Sequence, residues 1–264
     1  MRSNNNTELL YPPFLTRILS VWYRHYRVYT KSLISNGLPP FLEPLIFIAG
    51  IGLGMSRYIH EMAGVSYLTF MATGLPMTSA MYTAAFECSY STFIRLEFDK
   101  VYDGMLSSPL SVSDVLLGEV LWAGTKGLFF SFAVVLVLSC FGLIPMPAGL
   151  LAPFVGFLTG VMFAALSLAI TSFVTNINHF NFYFTGILSP MFFFSGVIFP
   201  IENLPTALRY AAEVFPLTHS VRIARDLTFW EFSPAMLYSL LYIAVFTAFM
   251  GWIAWKRLGR KMIS

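Results

Sequence analysis

The chain has 264 residues, of which 57% are hydrophobic and only 11% are charged, and its formal net charge is +3. Soluble domains carry about 25% charged residues, so this composition excludes an ordinary soluble domain and indicates a protein with many membrane-embedded helices. No linker and no second regime of composition interrupts the sequence, so residues 1–264 are expected to form a single membrane domain.

The first predicted element is an amphipathic helix over residues 14–35. Its polar face carries Arg17, Ser20, Arg24, Arg27 and Lys31. Its apolar face carries Leu15, Ile18, Leu19, Trp22, Tyr26, Tyr29 and Leu33. A basic amphipathic helix of this kind is typical of the membrane interface. The alternative is an amphipathic helix packed on a soluble domain, but the composition provides no such domain.

Six stretches are predicted to cross the membrane, since about 20 apolar residues are needed to span ~30 Å of hydrocarbon. They lie at about 38–56, 67–90, 115–141, 149–174, 180–199 and 235–255. The first contains Pro39, Pro40 and Pro44, so we expect it to begin irregularly. The predicted fold class is therefore an all-α integral membrane protein with six transmembrane helices.

Two small-residue patterns fall within these predicted spans. Gly50-x-x-x-Gly54 lies in the first span and Gly156-x-x-x-Gly160 in the fourth. Glycines at this spacing allow two helices to approach closely, so both patterns predict helix packing rather than a cofactor site.

The distribution of Lys and Arg predicts the orientation of the chain. With the N-terminus inside, the inner segments hold Arg2, Arg17, Arg24, Arg27, Lys31, Arg95, Lys100, Lys256, Arg257, Arg260 and Lys261. The outer segments hold Arg57, Arg209, Arg222 and Arg225. Eleven basic residues against four favour this orientation, so both termini and residues 91–114 are expected in the cytoplasm.

The stretch 87–126 is unusually charged for a region flanked by apolar runs. Its charged residues are Glu87, Arg95, Glu97, Asp99, Lys100, Asp103, Asp114, Glu119 and Lys126. Residues 92–106 are predicted to form a short amphipathic helix whose apolar face carries Ile94, Phe98, Val101 and Met105. On this assignment Arg95, Glu97, Asp99 and Asp103 lie away from the apolar face.

A turn is predicted directly after this short helix. Pro109 ends the helix because proline disfavours a helical residue before it and has no N–H to donate. Ser111 with Asp114 three residues later predicts the cap of the next helix. A helix, a turn and a helix at the membrane surface could dock on a soluble partner; the alternative is a solvated loop with incidental charge.

Three charged residues, Glu87, Glu119 and Lys126, fall inside or beside the predicted second and third spans. A charge near the bilayer centre costs about 2.5–3.5 kcal/mol on insertion scales. We therefore expect Glu87 to neutralise Lys126 across the helix pair. The alternative is that Lys126 extends to the interface and Glu119 lies there.

The segment 204–229 is predicted to lie on the outer side of the membrane and to form two short helices. Residues 204–215 and 217–229 are amphipathic and are separated by Pro216. Each rises only about 18 Å as a helix, which is too short to cross. A re-entrant or interfacial helical pair is the expected structure; the alternative is a surface loop with two helical turns.

Several classes of site are excluded by missing patterns. The chain has no Gly-Lys dipeptide and hence no phosphate-binding loop of that type, and it has no G-x-S-x-G nucleophile elbow. Its four histidines have no metal-ligand spacing. We expect no catalytic residue, no metal site and no nucleic-acid partner, and too few intramembrane charges for an ion-driven transporter.

Three features carry a resemblance to a known family. The first is residues 86–126, with the Leu-Ser-Ser-Pro-Leu-Ser turn and Gly118-Glu119. The second is residues 184–227, with Ser189-Pro190-Met191, Phe194-Ser195-Gly196 and Phe215-Pro216-Leu217-Thr218-His219. The third is the layout of six spans behind a basic interfacial helix. In these features the chain resembles the permease subunits of type-2 ABC exporters, above all the branch that exports nodulation lipo-oligosaccharides.

The resemblance implies a partner that supplies energy. Such permeases pair as dimers in the bacterial cytoplasmic membrane and bind two cytoplasmic ATPase subunits, which hold ATP and Mg. The coupling helix would map to residues 95–109. Its ATPase-coupling residues would be Arg95, Glu97, Asp99, Lys100, Asp103 and Pro109. The interfacial helix would also touch the ATPase, and the external helical pair would shape the exit.

The resemblance also implies a lipid-linked or amphipathic substrate of the glycolipid or lipo-oligosaccharide class. Phe182, Phe184, Phe193 and Phe194 would suit an apolar substrate path, although aromatic residues pack equally well against lipid and each other. The same family includes permeases for drugs and other small amphipathic molecules. A passive lipid scramblase or channel is an alternative function. A membrane enzyme that modifies lipids is a further alternative, but it would need a cluster of reactive residues, and the sequence shows none.

Overall fold

A computed structural model describes residues 12–262, and most of them lie in helices. Two short strands in this range, β1 (Glu61–Met62) and β2 (Val65–Ser66), form a small antiparallel hairpin in which Glu61 faces Ser66 and Met62 faces Val65. The predicted all-α class is confirmed apart from this hairpin. Arg2 and both chain ends, which entered the predicted orientation, lie outside the described residues.

The helices follow one another with short connections. The first six are α1 (Phe14–Thr30), α2 (Leu33–Gly37), α3 (Pro39–Phe47), α4 (Leu53–Ser56), α5 (Tyr67–Phe86) and α6 (Val101–Leu106). The next seven are α7 (Val112–Cys140), α8 (Ala152–Thr171), α9 (Phe180–Phe182), α10 (Ser189–Phe194), α11 (Thr206–Val214), α12 (Pro216–Phe229) and α13 (Pro234–Lys261). Wider π-helical turns occupy Ile48–Gly52, Glu87–Ser91, Ile94–Phe98 and Tyr183–Leu188. Short 3₁₀ turns occupy Ala148–Leu151, Ile177–His179 and Ile201–Asn203.

Four helical stretches within residues 12–262 are long and apolar enough to cross a membrane. They are Leu33–Ser56, Val112–Cys140, Ala148–Thr171 and Pro234–Lys261. They cover the predicted spans 38–56, 115–141, 149–174 and 235–255. The predicted segments 67–90 and 180–199 are not among them, so a count of six transmembrane helices is not confirmed.

The two remaining segments are helical, but each lacks one property of a typical span. Helix α5 is less apolar because it carries four threonines and one serine. Most of its residues are buried, and its packing partners are α7, α8 and α12. A helix enclosed by protein has less need of an apolar surface. Residues 180–194 rise only about 22 Å as a helix before the chain turns at Gly196, whose φ is 80°.

Helices α7 and α8 approach each other closely through glycines. A Cβ atom added at Gly160 would lie 2.9 Å from the Ala123 carbonyl oxygen, and one at Gly127 would lie 2.6 Å from the Gly156 carbonyl oxygen. The predicted packing role of Gly156-x-x-x-Gly160 is therefore confirmed. Around Gly50 and Gly54, by contrast, an added Cβ meets no atom of another described helix within 4 Å, so the predicted packing role of this pattern is not seen within the described residues.

The N-terminal amphipathic helix is shorter than predicted and packs through a different face. It ends at Thr30 because Tyr29 and Asn36 form a turn in which the Tyr29 hydroxyl donates to the Asn36 carbonyl (2.8 Å) and the Asn36 side chain donates to the Tyr29 carbonyl (3.0 Å). The buried residues of α1 are Ile18, Val21 and His25, which lie against α7. Most of the predicted apolar face, including Leu15, Leu19 and Tyr26, is exposed.

The start of the first candidate span is irregular, as predicted. Pro39 opens α3, Pro44 lies inside it, and a π-helical turn at Ile48–Gly52 follows before α4. Few residues of the stretch Leu33–Ser56 are buried, so most of its surface is left for lipid or for a second chain.

Candidate functional site

Glu87 holds two cations at the end of α5. Its Oε1 accepts a 2.8 Å hydrogen bond from Arg95 Nη1, and its Oε2 accepts a 3.0 Å hydrogen bond from Lys126 Nζ. The residue is only 8% exposed. The predicted ion pair between Glu87 and Lys126 is therefore present, and Arg95 is a second partner that the sequence analysis did not anticipate.

Glu119, on α7, is the second buried carboxylate of this site. Arg95 Nη2 donates to its Oε2 at 2.7 Å, and the Tyr102 hydroxyl donates to its Oε1 at 2.5 Å. His25 Nε2 lies 3.1 Å from the same Oε1. Burial and the neighbouring Glu119 carboxylate raise the pKa of Tyr102, so its hydroxyl keeps the proton that it donates.

These contacts form one connected set, which we call the charged network. It consists of His25, Glu87, Arg95, Tyr102, Glu119 and Lys126. Its members come from α1, the two π-helical turns Glu87–Ser91 and Ile94–Phe98 that follow α5, α6 and α7. The network therefore joins α1, two bundle helices (α5 and α7) and the charged connection between them.

The predicted surface position of Arg95 was wrong. Its side chain is 13% exposed and lies inside the network, whereas Ile94 and Phe98, assigned to the apolar face, are 38% and 65% exposed. The cause is local geometry. Each π-helical turn contains an extra residue, so the turns at Glu87–Ser91 and Ile94–Phe98 rotate later positions away from a regular α-helical register.

A left-handed residue then redirects the chain. Lys100 has φ 51° and ψ 32°, and α6 starts directly after it. Asp99, Lys100, Asp103 and Pro109 are exposed on this connection, while Tyr102 and Met105 are buried beneath it. We call residues 99–109 the docking loop. It presents charge outward while Tyr102, on its inner side, holds Glu119.

Glu97 belongs to a different contact. Its carboxylate forms a 2.7 Å ion pair with Lys261 near the end of α13, and Lys261 Nζ also donates to the Val174 carbonyl at 3.1 Å. The end of α13 is thereby held beside the docking loop. Of the predicted ATPase-coupling residues, Arg95 is buried and Glu97 is paired within the chain, so both support the loop rather than form its outer surface.

The predicted helix cap after the docking loop is present. Ser111 Oγ accepts from the Asp114 backbone N–H at 3.3 Å, and Asp114 Oδ2 accepts from the Ser111 backbone N–H at 2.8 Å. This is a reciprocal capping box. Arg17 of α1 lies 3.3 Å from Asp114 Oδ2, so a second contact between charged groups fixes α1 to the start of α7.

One group of donor atoms has the spacing of a metal site but is already neutralised. His25, Glu87 and Glu119 offer ligand atoms within 4.8 Å of one another. Arg95 bonds to both carboxylates, and Lys126 bonds to Glu87. Two carboxylates with two permanent cations fit an ion-pair network better than a metal centre.

The four phenylalanines predicted to line a substrate path do not gather around one cavity. Phe184 packs near Tyr82 and Phe86, with ring centroids 6.4 and 6.5 Å away. Phe182 and Phe193 point outward, with 75% and 48% of their surface exposed. Phe194 is partly buried. Of the four, Phe184 alone is among the residues that line a cavity of about 690 Å³ between α1, α3, α5 and α7.

The predicted external pair corresponds to α11 and α12, which meet at an extended residue, Phe215. Helix α12 packs inside the bundle against α5, α8 and α13, whereas α11 is mostly exposed. Arg225 attaches α12 to α5: its guanidinium lies 3.9 Å from the Phe70 ring centre and donates to Thr73 Oγ1 at 3.2 Å.

Two members of the network, His25 and Tyr102, were missed in the sequence. His25 follows Ile18 and Val21 at helical spacing on the face that packs against α7, and this periodicity is the signal that could have identified it. Tyr102 carried no such signal, because the break at Lys100 that buries it is not evident from the pattern.

Comparison with known proteins agrees with this architecture. Residues 16–229 match the model of the ABC-2 type transporter family. Nodulation protein J of Sinorhizobium fredii is 34% identical over 83% of this chain and 80% of its own length. Nodulation protein J of Rhizobium leguminosarum bv. trifolii is 35% identical over 79% of this chain and 80% of its own length.

A more distant relative is the inner membrane transport permease YadH of Escherichia coli, 21% identical over 76% of this chain and 78% of its own length. The family match covers both the charged network and the helices around it. Members of this family are transport subunits that do not themselves hydrolyse ATP, and membership implies a cytoplasmic ABC ATPase as partner. The chain belongs to the ABC-2 type transporter membrane family.

Proposed function

We propose that this chain is the permease subunit of an ATP-driven exporter in the bacterial cytoplasmic membrane. Two copies form the membrane part, and two ATPase subunits, which bind ATP and Mg, dock on the cytoplasmic side. The docking loop and α1 receive the ATPase. Residues 1–264 act as one membrane domain with both termini in the cytoplasm.

The observation that carries this proposal is the link between the docking loop and the bundle. Asp99, Lys100 and Asp103 are exposed on the loop, while Tyr102 on its inner side bonds to Glu119 of α7. Glu119 is joined through Arg95 to Glu87 at the end of α5. A displacement of the loop therefore pulls on two bundle helices through buried, charge-assisted hydrogen bonds, which are stronger than neutral ones.

The proposed substrate is an amphipathic or lipid-linked molecule of the lipo-oligosaccharide class, moved outward. The support is the similarity to proteins named Nodulation protein J and the apolar surface of the bundle. Phe184, the partly buried Phe194 and the outward-facing Phe182 and Phe193 are proposed to contact the apolar part of the substrate.

The test is a charge reversal on the docking loop. The double variant Asp99→Arg/Asp103→Arg changes two exposed side chains that make no ion pair within residues 12–262. We expect at least a tenfold loss of ATPase retained during co-purification and a matching loss of ATP-dependent export, with normal membrane insertion.

The matched control is Glu61→Arg/Glu231→Arg, which reverses two exposed carboxylates away from the docking loop. It is expected to retain the ATPase. If the loop variant bound the ATPase and exported substrate as well as this control, the docking assignment would be wrong.

A further inference from the structure

A cavity of about 690 Å³ lies between α1, α3, α5 and α7. Small-molecule sites commonly measure about 300–1,000 Å³, so it is large enough for a ligand. Its wall includes the Glu87 and Lys126 side of the charged network at one end and Glu43, Ser79 and Tyr82 at the other.

The cavity wall has no net formal charge when its histidine is neutral. Its cationic residues are Arg24, Arg95 and Lys126, and its anionic residues are Glu43, Glu87 and Asp99. The Glu87 carboxylate is fully engaged with Arg95 and Lys126. Such a wall neither attracts nor repels a ligand by net charge, which favours an uncharged or zwitterionic group.

Two polar groups at the other end of the cavity lack normal partners. Glu43, on α3, makes no ion pair with any residue in the range 12–262. Ser79, on α5, is 4% exposed, and its hydroxyl has no hydrogen bond of normal geometry within that range, although Glu43 is its neighbour. A buried hydroxyl without a good hydrogen bond is unfavourable, so a ligand that bonded to Ser79 and Glu43 would be stabilised in the cavity.

Aromatic rings form much of the remaining wall. The rings of Tyr82 and Phe184 are stacked, with centroids 6.4 Å apart and an angle of 20° between planes. The rings of Tyr29 and Phe130 both lie near Lys126 Nζ, with ring centres 5.4 and 5.7 Å away. The C–H faces of sugar rings pack on aromatic rings, while their hydroxyls donate to carboxylates and exchange hydrogen bonds with serine.

We propose that this cavity binds the uncharged sugar head group of an amphiphile, with Glu43 and Ser79 as its hydrogen-bonding residues and Tyr82 and Phe184 as its stacking platform. The alkyl chain stays in the surrounding lipid. The proposal rests on the proposed export function and assigns the part of the substrate that enters the protein.

The test compares two amphiphiles with the same chain and different heads. The full-length permease in lipid nanodiscs is titrated with radiolabelled dodecyl maltoside, and empty nanodiscs give the background. Dodecyltrimethylammonium is then used as competitor. We expect saturable maltoside binding that the cationic amphiphile does not displace, because the wall offers no net negative charge.

Two variants locate the site. Glu43→Gln and Ser79→Ala are each expected to weaken maltoside binding about tenfold, whereas Glu61→Gln, an exposed carboxylate outside the cavity, leaves it unchanged. Unchanged binding in both cavity variants, or no binding above empty nanodiscs, would overturn the proposal. Displacement by the cationic amphiphile that is lost in Glu43→Gln would show a cation site instead.

This assay needs neither ATP nor the ATPase. Sugar binding without ATP-dependent export would therefore refute the proposed function and leave the cavity assignment standing. ATP-dependent export without sugar binding would refute the cavity assignment and leave the proposed function standing.

Discussion

Arg95 is the residue on which the buried charges depend most. It bonds to Glu87 and Glu119 at 2.8 and 2.7 Å, and both carboxylates are buried. Removing one partner of a buried ion pair leaves an uncompensated charge and costs about 3–5 kcal/mol. Lys126 bonds to Glu87 alone within the described residues, and Glu87 would keep Arg95 if Lys126 were lost.

This difference predicts an order of stabilities. Arg95→Met is expected to destabilise the permease by about 3–5 kcal/mol, and Lys126→Met by clearly less, because only the first variant leaves Glu119 without its guanidinium partner. The midpoint of thermal unfolding in detergent measures the order.

Lys100→Met is the matched control for a removed cation, since Lys100 is exposed and surface substitutions usually change stability by less than about 0.5 kcal/mol. Should Arg95→Met unfold at the same temperature as Lys100→Met, the charged network would not stabilise the fold as described.

For single residues, the sequence predicted contacts that depend on charge or local spacing, but it did not predict contacts that depend on the path of the backbone. The Glu87–Lys126 pair and the Ser111–Asp114 cap follow from charge cost and local spacing, and both are present. The position of Arg95 could not be predicted by the same means, because π-helical turns and the left-handed Lys100 change the register. These breaks depend on tertiary contacts that a periodic pattern does not contain.

Among the helices, the α7–α8 contact depends most on small residues. A methyl group at Gly127 would lie 2.6 Å from the Gly156 carbonyl oxygen, so the helices would have to separate. Overpacking of this kind usually costs about 1–3 kcal/mol. Gly54 offers a comparison in the first candidate span, because an added Cβ there meets no atom of another described helix within 4 Å.

We therefore expect Gly127→Ala to lower the thermal midpoint of the purified permease and Gly54→Ala to leave it unchanged or raise it slightly, since alanine is the better helix former. Equal midpoints for the two variants would contradict the close α7–α8 packing.

The predicted and observed spans differ where a helix is surrounded by protein instead of lipid. Residues 67–90 were predicted to be a span, but α5 is more polar than the four candidate spans and lies at the centre of the bundle. One of its buried hydroxyls, that of Thr73, donates to the Phe70 carbonyl at 2.8 Å, whereas the hydroxyl of Ser79 faces the cavity beside Glu43 without a hydrogen bond of normal geometry. The sequence located this helix but could not show that protein, rather than lipid, surrounds it.

For the whole molecule, three contacts place distant parts of the chain on one side of the bundle. Arg17 pairs with Asp114 and His25 lies beside Glu119, so α1 lies next to the start of α7. Lys261 pairs with Glu97, so the end of α13 lies beside the docking loop. This shared side is the one that the distribution of basic residues assigns to the cytoplasm.

Labelling with an impermeant maleimide tests that orientation. Of the two native cysteines Cys88 is buried and Cys140 is exposed, so Cys140→Ser provides the background. We expect Glu231→Cys to be labelled in intact cells and Lys100→Cys only after permeabilisation. The opposite pattern would invert the orientation and remove the docking loop from the cytoplasm.

The proposed function requires that this permease moves its substrate only when a separate ATPase hydrolyses ATP. The most direct measurement is uptake of a fluorescent lipo-oligosaccharide into inside-out membrane vesicles that contain the permease with either active or hydrolysis-deficient ATPase. We predict ATP-dependent accumulation with the active partner and none above background with the deficient one. Equal accumulation in both preparations would contradict the claim and identify a passive pathway.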